Sequence, residues 1–399
     1  MKTALVLFNN PTQQYPAQYV GKITSTLYSG GYTIDGLEVL SISNDLGFKR
    51  SLQKYKDTVD NLIVVAHPQI EFDLKKIIAD DFDTVLIEND NAVKFVQALS
   101  TAHGVEYGEE YALLPESSTL IPNLTGAFQG FIMENDEFSL VVLPGEEQQF
   151  SVACEKYLLP YFDKKFGNAF CRMTLKYFGD ENALFSVIKK VEQTCQGVKI
   201  NVESLYGDHK IQFLADNQTS LREGVRILLL NLKDNVYAES DVSLSERVFD
   251  LLKLKKLKIA TAESFTAGRI VASLIQNSGA SSCVHEGIVC YSNLSKSERT
   301  GINPSTLEQE GAVSSMTAYR MAAGLIKTGN VDVALSTTGV AGPNGDGSTA
   351  PVGLCFVGVG MKDGVHTYKL NLCGSREEIT ETAKNTALFL TFKKLKSIE

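Results

Sequence analysis

Hydrophobic and polar positions in the first part of the chain follow two alternating patterns. Residues 4–8 and 62–66 are near-continuous apolar runs, which are typical of strands covered on both faces. Between them, apolar side chains recur at every fourth position and predict a helix over 15–28. Further copies of the two patterns predict strands at 84–87 and 139–143 and a helix at 92–99. This order predicts an α/β fold with a doubly wound, mostly parallel sheet.

The pattern changes after a charged stretch at 160–167, which we interpret as a domain boundary. The region that follows has the order strand, helix, strand, strand, helix and predicts a small α+β module at 166–240. Such a module can bind RNA or act as a spacer between two domains. It contains no G-x-x-G loop, and we interpret it as a spacer.

Helix and strand patterns alternate again from about residue 240. A helix over 243–255 is predicted to face inward with Val248, Leu251, Leu252 and Leu254. A second helix over 266–276 is predicted to bury Ile270, Val271, Leu274 and Ile275. The remaining patterns predict strands at 257–261, 287–291, 331–335 and 352–359 and a closing helix at 377–392. The sequence therefore predicts a further α/β domain over 241–399.

Composition and charge narrow the functional classes. The 399 residues include 38 Lys and Arg against 47 Asp and Glu, a net charge of −9, which argues against bulk binding of nucleic acid or an anionic membrane. No apolar stretch approaches the length of a membrane span, and the N-terminal apolar run is too short for a signal peptide. The seven cysteines are scattered without a C-x-x-C pair, which favours a reducing, cytoplasmic location.

The segment Ala262-Glu263-Ser264-Phe265-Thr266-Ala267-Gly268 joins a predicted strand to a predicted helix. Ser264 is therefore expected near a helix N-terminus, where free backbone N–H groups favour negative charge. A nucleophilic serine there would have an oxyanion site beside it. The alternative is that Ser264 or Thr266 only caps the helix.

A second segment, Cys290-Tyr291-Ser292-Asn293-Leu294-Ser295-Lys296, runs from a predicted strand into a helix that Asn293 can cap. A buried Lys296 with a lowered pKa would act as a base, directly or through Tyr291. The alternative is a surface lysine beside a packed tyrosine.

A third segment, Ser336-Thr337-Thr338-Gly339-Val340-Ala341-Gly342-Pro343, follows a strand and leads into the polar loop 344–347. Ligands of open α/β sheets bind at the carboxyl ends of strands, and glycines let the backbone approach them closely. The alternative is an ordinary glycine-rich turn. Walker A, G-x-G-x-x-G and G-x-S-x-G motifs are absent from the sequence, and its histidines do not have metal-ligand spacing.

Five ordered motifs carry a family resemblance. A-E-S-x-T, Y-S-N-x-x-K, G-A-V-S at 311–314, T-G-V-A-G-P and P-V-G at 351–353 resemble the C-terminal domain of the competence/damage-inducible CinA family. The resemblance implies a hydrolase of pyridine nucleotide salvage. This nicotinamide-nucleotide amidase converts nicotinamide mononucleotide and water into nicotinic acid mononucleotide and ammonia.

The resemblance also implies roles for single residues. Catalysis is assigned to Ser264, Tyr291 and Lys296. Substrate binding is assigned to Thr266, Thr338, Gly339, Gly342 and Arg376. No metal or other cofactor is expected in this domain. The chain departs from the family pattern at Phe265, Ala267 and Ala350, which stand where Cys, Gly and often Lys occur.

The N-terminal region resembles the family's first domain, which has a molybdopterin-binding-protein-like fold. The resemblance rests on Leu114-Pro115-Glu116, Ile121–Gly126, Gly130-Phe131 and Val142–Gly145. The family's glycine-rich loop with paired aspartates is replaced here by His67–Asp73, and an earlier loop by Asn9–Thr12. We therefore expect this domain to have lost ADP-ribose pyrophosphatase activity and its divalent metal. A rebuilt metal site would have to use His67, Glu71 and Asp73.

The expected organisation has three parts, namely a degenerate first domain at 1–165, a KH-like connector at 166–240 and an amidase domain at 241–399. Family resemblance implies a homodimer. The alternative function is a non-catalytic adaptor that associates with the recombinase RecA, in which Ser264 and Lys296 would be relics. We expect neither a membrane partner nor direct nucleic-acid binding.

Overall fold

The computed structural model describes residues 2–10, 17–67, 69–145, 147–167, 170–345, 347 and 349–398. The chain forms two compact units, Met1–Arg172 and Met173–Glu399. The fold is mixed α/β in several domains, which confirms the predicted class. The predicted boundary near residue 240 lies between two sheets of the second unit.

The first unit alternates strands and helices. Its elements are β1 (Thr3–Asn9), α1 (Ala17–Ser29), β2 (Gly36–Ser41), α2 (Asp45–Lys56), β3 (Asn61–Ala66), α3 (Leu74–Asp81), β4 (Leu86–Glu88), α4 (Asp90–His103), β5 (Leu113–Pro115), β6 (Thr119–Ile121), β7 (Gly130–Glu134), β8 (Ser139–Pro144), α5 (Glu147–Ala153) and α6 (Leu159–Phe166). A π-helical turn joins α5 to α6. The main sheet has the order β2-β1-β3-β8-β7-β6, parallel from β2 to β8 and antiparallel beyond.

Both faces of this sheet are buried at its central strands β1, β3 and β8. Val6 and Val64 pack on one face with α2 and α3, whereas Leu5 and Ile63 pack on the other with α1 and α6. Strands covered on both faces carry apolar side chains at successive positions, which explains the continuous apolar runs.

Two predictions for this unit differ in position from the structure. The charged stretch 160–167, predicted as a domain boundary, lies largely within α6 and buries Phe162 completely, whereas the two compact units divide after Arg172. The strand predicted at 84–87 is shifted to β4, which pairs with β5 in a separate small sheet. The predicted start of α1 at residues 15 and 16 lies outside the described residues.

The second unit contains two sheets. Its elements are β9 (Cys171–Phe178), α7 (Glu181–Thr194), β10 (Val198–Leu205), β11 (Asp208–Ala215), α8 (Gln218–Leu232), β12 (Val236–Ala238), α9 (Leu244–Lys255), β13 (Ile259–Glu263), α10 (Arg269–Ile275), β14 (Val284–Val289), α11 (Asn293–Thr300), α12 (Pro304–Glu310), α13 (Ser315–Lys327), β15 (Val333–Gly339), β16 (Leu354–Met361), β17 (Gly364–Asn371) and α14 (Arg376–Lys396). The sheet orders are β10-β11-β9-β12 and β14-β13-β15-β16-β17.

The larger sheet positions the candidate site. Strands β14, β13 and β15 are parallel, whereas β16 and β17 run antiparallel to their neighbours. One face packs on α9, α10 and α14 and the other on α13. The carboxyl ends of the three parallel strands therefore meet at one edge.

Helix faces in this unit differ from the sequence prediction at two positions. Leu254 is 76% exposed, because the buried stripe of α9 runs through Val248 and Leu252 and residue 254 lies on the opposite side. Ile275 is 58% exposed at the end of α10, and the buried pair of this helix is Ile270 and Leu274.

Candidate active site

A cavity of about 750 Å³ lies at the carboxyl ends of β13, β14 and β15. The structure brings most of the predicted site residues to its wall, although they are spread over 113 positions from 264 to 376. These residues are Ser264, Tyr291, Lys296, Thr338, Gly339, Gly342 and Arg376. Ligands of open α/β sheets occupy this kind of edge.

Ser264 and Lys296 form the central contact of the cavity. The Lys296 Nζ donates a hydrogen bond to the Ser264 Oγ over 3.1 Å, and both residues are buried. Lys296 lies in the first turns of α11, whose N-terminus is capped by Ser292 rather than by the predicted Asn293. A serine hydroxyl in contact with a buried amine is the arrangement of a nucleophile and its base.

Tyr291 contacts the lysine through its main chain. The Tyr291 carbonyl accepts a hydrogen bond from the Lys296 Nζ over 3.3 Å, whereas the side chain is 67% exposed at the cavity wall. The direct route from Ser264 to Lys296 is therefore present, and it does not pass through the Tyr291 hydroxyl.

Glu263, which sequence reasoning missed, organises the turn that carries Ser264. Its fully buried carboxylate accepts backbone hydrogen bonds from Gly268 at 3.0 Å, Ile270 at 3.1 Å and Val271 at 2.9 Å. These are the N-terminal donors of α10, which were expected to serve the oxyanion. An acidic residue placed just before a helix start was the available signal, because carboxylates stabilise helix N-termini.

Thr266 is an interior residue rather than a substrate contact. It is fully buried, and its hydroxyl donates to the Glu263 carboxylate over 2.8 Å. Since that proton is committed, the Thr337 hydroxyl donates to the Thr266 Oγ1 over 2.7 Å. The Thr337 carbonyl in turn accepts from the Ser264 N–H over 3.0 Å, so the chain of contacts returns to the nucleophile.

Between Ser264 and α10 the backbone makes a tight turn instead of the predicted first helical turn. Ala267 and Gly268 both have left-handed backbones, with φ of +54° and +87°. The backbone N–H groups of Phe265 and Thr266 do not donate a hydrogen bond to any residue that the structure describes. These two donors follow the serine directly and replace the helix N-terminus as the candidate oxyanion site.

Phe265 is accommodated in the interior. It is only 3% exposed and packs against Ala341, Cys355 and Ile379. The bulk of this residue, which departs from the family pattern, therefore lies in a small apolar cluster at the cavity wall.

The loop after β15 closes the other side of the cavity. The Thr338 hydroxyl donates to the Ala312 carbonyl over 2.6 Å, and Arg376 donates to the Gly342 carbonyl over 2.7 Å. A Cβ at Gly339 would lie 2.7 Å from the Cys355 Sγ, so only glycine fits there. Within the described chain, the backbone N–H groups of Ala341 and Gly342 do not donate a hydrogen bond. Asp346 and Ser348 of this loop lie outside the described residues.

The described lining of the cavity is basic. Lys296 and Arg376 are the basic side chains of its described lining, and that lining includes no carboxylate. Positive charge together with unpaired N–H groups suits an anionic ligand.

In the first unit, two of the three candidate metal residues accept hydrogen bonds from backbone N–H groups. The Asp73 carboxylate caps α3 by accepting from the Lys76 N–H over 2.9 Å, and the His67 Nδ1 accepts from the Gln69 N–H over 3.0 Å. Burial lowers the pKa of His67. A grouping of three or more His, Cys, Asp or Glu side chains suited to a metal is not found in the described part of the chain. Pro11, Thr12 and Pro68, in the replaced loops, lie outside it.

In the described chain, no helix is both long enough and apolar enough to cross a bilayer.

Comparison with known proteins identifies the family. The model of the CinA C-terminal domain matches residues 241–395. A competence-damage inducible protein of Clostridium beijerinckii is 35% identical over 79% of this chain and 79% of its own length. Another, from Caldicellulosiruptor bescii, is 28% identical over 97% of this chain and 95% of its own. The chain therefore belongs to the CinA family of competence-damage inducible proteins.

A solved structure is also similar. It is the competence/damage inducible protein CihA from Agrobacterium tumefaciens, and the match covers 37% of this chain and 90% of that one. The two sequences are 34% identical over the match, and the TM-score is 0.36.

Proposed function

We propose that the second unit hydrolyses the carboxamide of nicotinamide mononucleotide to give nicotinic acid mononucleotide and ammonia. The observation that carries this proposal is the 3.1 Å contact between the Lys296 Nζ and the Ser264 Oγ on the wall of the cavity. Membership of the CinA family and the intact serine, tyrosine and lysine motifs support the same reaction.

The first chemical step joins Ser264 to the substrate. In the proposed step the uncharged amine of Lys296 accepts across the 3.1 Å contact, so the Ser264 proton moves to the Lys296 Nζ while the Ser264 Oγ attacks the carboxamide carbon. Lys296 is 2% exposed, and burial away from water favours the uncharged amine over the ammonium. The carboxamide oxygen acquires negative charge in the tetrahedral intermediate, where the N–H groups of Phe265 and Thr266 would receive it.

Collapse of the intermediate breaks the carbon–nitrogen bond. Lys296 returns the proton to the leaving nitrogen, which departs as ammonia and leaves an ester on Ser264. A water molecule then attacks the ester carbonyl while Lys296 takes its proton. Lys296 returns this proton to the Ser264 Oγ as the bond from Oγ to the acyl carbon breaks, which releases the acid and restores the Ser264 hydroxyl. Nucleophile and base are both side chains, so the proposed reaction uses no metal.

The rest of the substrate would be held by the loop after β15. A nucleotide phosphate is anionic, and Arg376 and the N–H groups of Ala341 and Gly342 offer it donors. Arg376 uses one nitrogen to hold the Gly342 carbonyl, and its guanidinium has further donors.

For the first unit we propose that pyrophosphatase activity is lost. Asp73, the one aspartate of the replaced loop, caps α3, and the loop lacks the glycines that let a backbone wrap phosphate. ADP-ribose with Mg²⁺ or Mn²⁺ would then give no product, and detectable hydrolysis would contradict this.

The test is ammonia release from nicotinamide mononucleotide by the full chain, with and without chelator. We expect turnover that survives the chelator and is lost in Ser264→Ala. A matched control is Ser281→Ala, an exposed serine of the same unit, which should retain turnover. Absence of ammonia from a folded wild-type chain would refute the amidase and favour the adaptor.

A further inference from the structure

The hairpin formed by β10 and β11 carries a second serine in contact with a possible base. Ser204 and His209 face each other directly across the two strands. The Ser204 Oγ lies 2.8 Å from the His209 Nδ1, and the His209 Nε2 lies 3.0 Å from the Gly179 carbonyl oxygen. His209 is 2% exposed, so its ring is fixed by its surroundings.

These contacts determine which ring nitrogen carries the proton. A carbonyl oxygen can only accept, so the His209 Nε2 must be the protonated donor toward Gly179. In the neutral ring the Nδ1 then has a free lone pair, and the Ser204 hydroxyl donates to it. A hydroxyl held on the basic nitrogen of an oriented imidazole is the arrangement that activates a serine.

Ser204 also faces a cavity large enough for a ligand. It is exposed and lines a space of about 650 Å³ between the hairpin and α14. The charged groups of the wall are paired, for instance Lys176 with Asp208 at 3.3 Å and Lys210 with Asp241 at 2.6 Å. Such a polar wall fits a small polar ligand better than a lipid chain.

Backbone strain occurs at the tip of the same hairpin. Tyr206 is a non-glycine residue with φ of +52°, and it lines the cavity. This conformation is unfavourable for a residue with a Cβ. The Asn385 side chain of α14 donates to the Tyr206 carbonyl over 3.3 Å and helps to hold the strained tip.

We propose that Ser204 is a nucleophile, with His209 as its base, that accepts the acyl group of a small polar carboxylic ester. The Ser204 Oγ forms a bond to the ester carbonyl carbon, and the bond from that carbon to the alcohol oxygen breaks. The Ser204 proton passes to the His209 Nδ1 and from there to the departing alcohol oxygen. This site shares no residue with the proposed amidase, so either can fail without the other.

The test uses p-nitrophenyl acetate with the full chain carrying Ser264→Ala, which removes the other candidate nucleophile. Peptide mapping by mass spectrometry follows acetylation at each residue with time. We expect Ser204 to be acetylated at least about a hundredfold faster than Ser245, a serine on the wall of the same cavity, because general-base assistance accelerates by about that factor or more.

Three variants complete the design. Ser204→Ala should abolish the mapped product while Ser245→Ala should leave it, and His209→Gln should slow it about a hundredfold. Thermal unfolding of each variant checks the fold. The proposal is overturned if Ser204 is acetylated no faster than Ser245, a result that needs no variant of His209. Equal acetylation of Ser204 in a folded His209→Gln chain would also overturn it.

Discussion

The amine of Lys296 and the hydroxyl of Ser264 lie 3.1 Å apart although 32 positions separate them in the chain. Lys296→Met keeps the length and the apolar stem of the side chain and removes the base. We expect the rate of ammonia release to fall by about a hundredfold or more, and Lys296→Arg to be equally inactive because a guanidinium stays protonated. Steady-state kinetics with a thermal unfolding control measures this. If a folded Lys296→Met chain released ammonia at a rate within tenfold of wild type, Lys296 could not be the base that deprotonates Ser264.

Tyr291 separates two routes for the proton. Its carbonyl holds the Lys296 Nζ, and any residue at this position supplies a carbonyl. We therefore expect Tyr291→Phe to retain kcat within about tenfold for the proposed amidase reaction, because the direct contact between lysine and serine is unchanged. A loss of about a hundredfold in kcat with unchanged KM would show instead that the hydroxyl relays the proton.

Glu263→Gln removes one of the two acceptor oxygens beneath the catalytic turn. The backbone N–H groups of Ile270 and Val271 bond different oxygens, so an amide leaves at least one buried donor unpaired. We expect a loss of about 1–3 kcal/mol in the free energy of unfolding. We also expect a lower kcat, because the turn positions Ser264.

Thr261→Val is the comparison for that variant, since Thr261 contacts the same carboxylate from the strand side at 3.3 Å. It should lower stability without a comparable loss of kcat. An equal loss of kcat in both variants at equal stability would show that Glu263 has no specific positioning role.

Ala267→Gly is expected to stabilise the second unit. Ala267 has φ of +54°, where a Cβ costs about 1–2 kcal/mol, and glycine relieves this cost at some expense in unfolded-state entropy. We expect a net gain of roughly 0.5–1 kcal/mol, measured as a higher unfolding temperature. Ala272→Gly, in the helical backbone of α10, should have the opposite effect. A lower unfolding temperature for Ala267→Gly than for wild type would contradict the inference that the backbone is strained at Ala267.

Lys75 makes the stability of the first unit depend on pH. Burial lowers its pKa from 10.5 to about 8, and its Nζ donates to the carbonyls of Glu110, Tyr111 and Leu113. Below pH 8 both the folded and unfolded chains bind the proton, and the burial penalty is fully present. Between pH 8 and 10.5 the unfolded chain binds more protons, so stability rises with pH, by about 3 kcal/mol in total.

Urea unfolding at pH 8, 9 and 10 checks this dependence against Lys75→Met, which lacks the titrating group. Other groups titrate equally in both chains, so we expect the difference in stability between wild type and variant to move in favour of wild type as pH rises. A difference that stays constant with pH would contradict the lowered pKa of Lys75.

Much of the fold was predictable because periodicity reports burial directly. The continuous apolar runs of β1, β3 and β8 are strands buried on both faces, and the stripe of α9 was correct at Val248 and Leu252. The prediction that Leu254 is buried was wrong, because this residue lies outside the buried stripe of α9. The apolar character of a residue does not by itself show on which side of a helix the core lies. Charge indicated a domain boundary at 160–167, but that stretch is helical with Phe162 buried, and the two compact units divide a few residues later.

The sequence by itself determined the inventory of the candidate site, since Ser264, Lys296 and Gly342 stand in ordered motifs and all line one cavity. Only the tertiary structure decided their relations. It brought the Lys296 Nζ within hydrogen-bond distance of the Ser264 Oγ, left Tyr291 exposed and buried Thr266. It also paired the N-terminal backbone N–H groups of α10 with the Glu263 carboxylate. The physical reason is that several polar groups come together only when the parallel strands align in the folded chain. Which of them form hydrogen bonds depends on that alignment, and the local sequence does not contain this information.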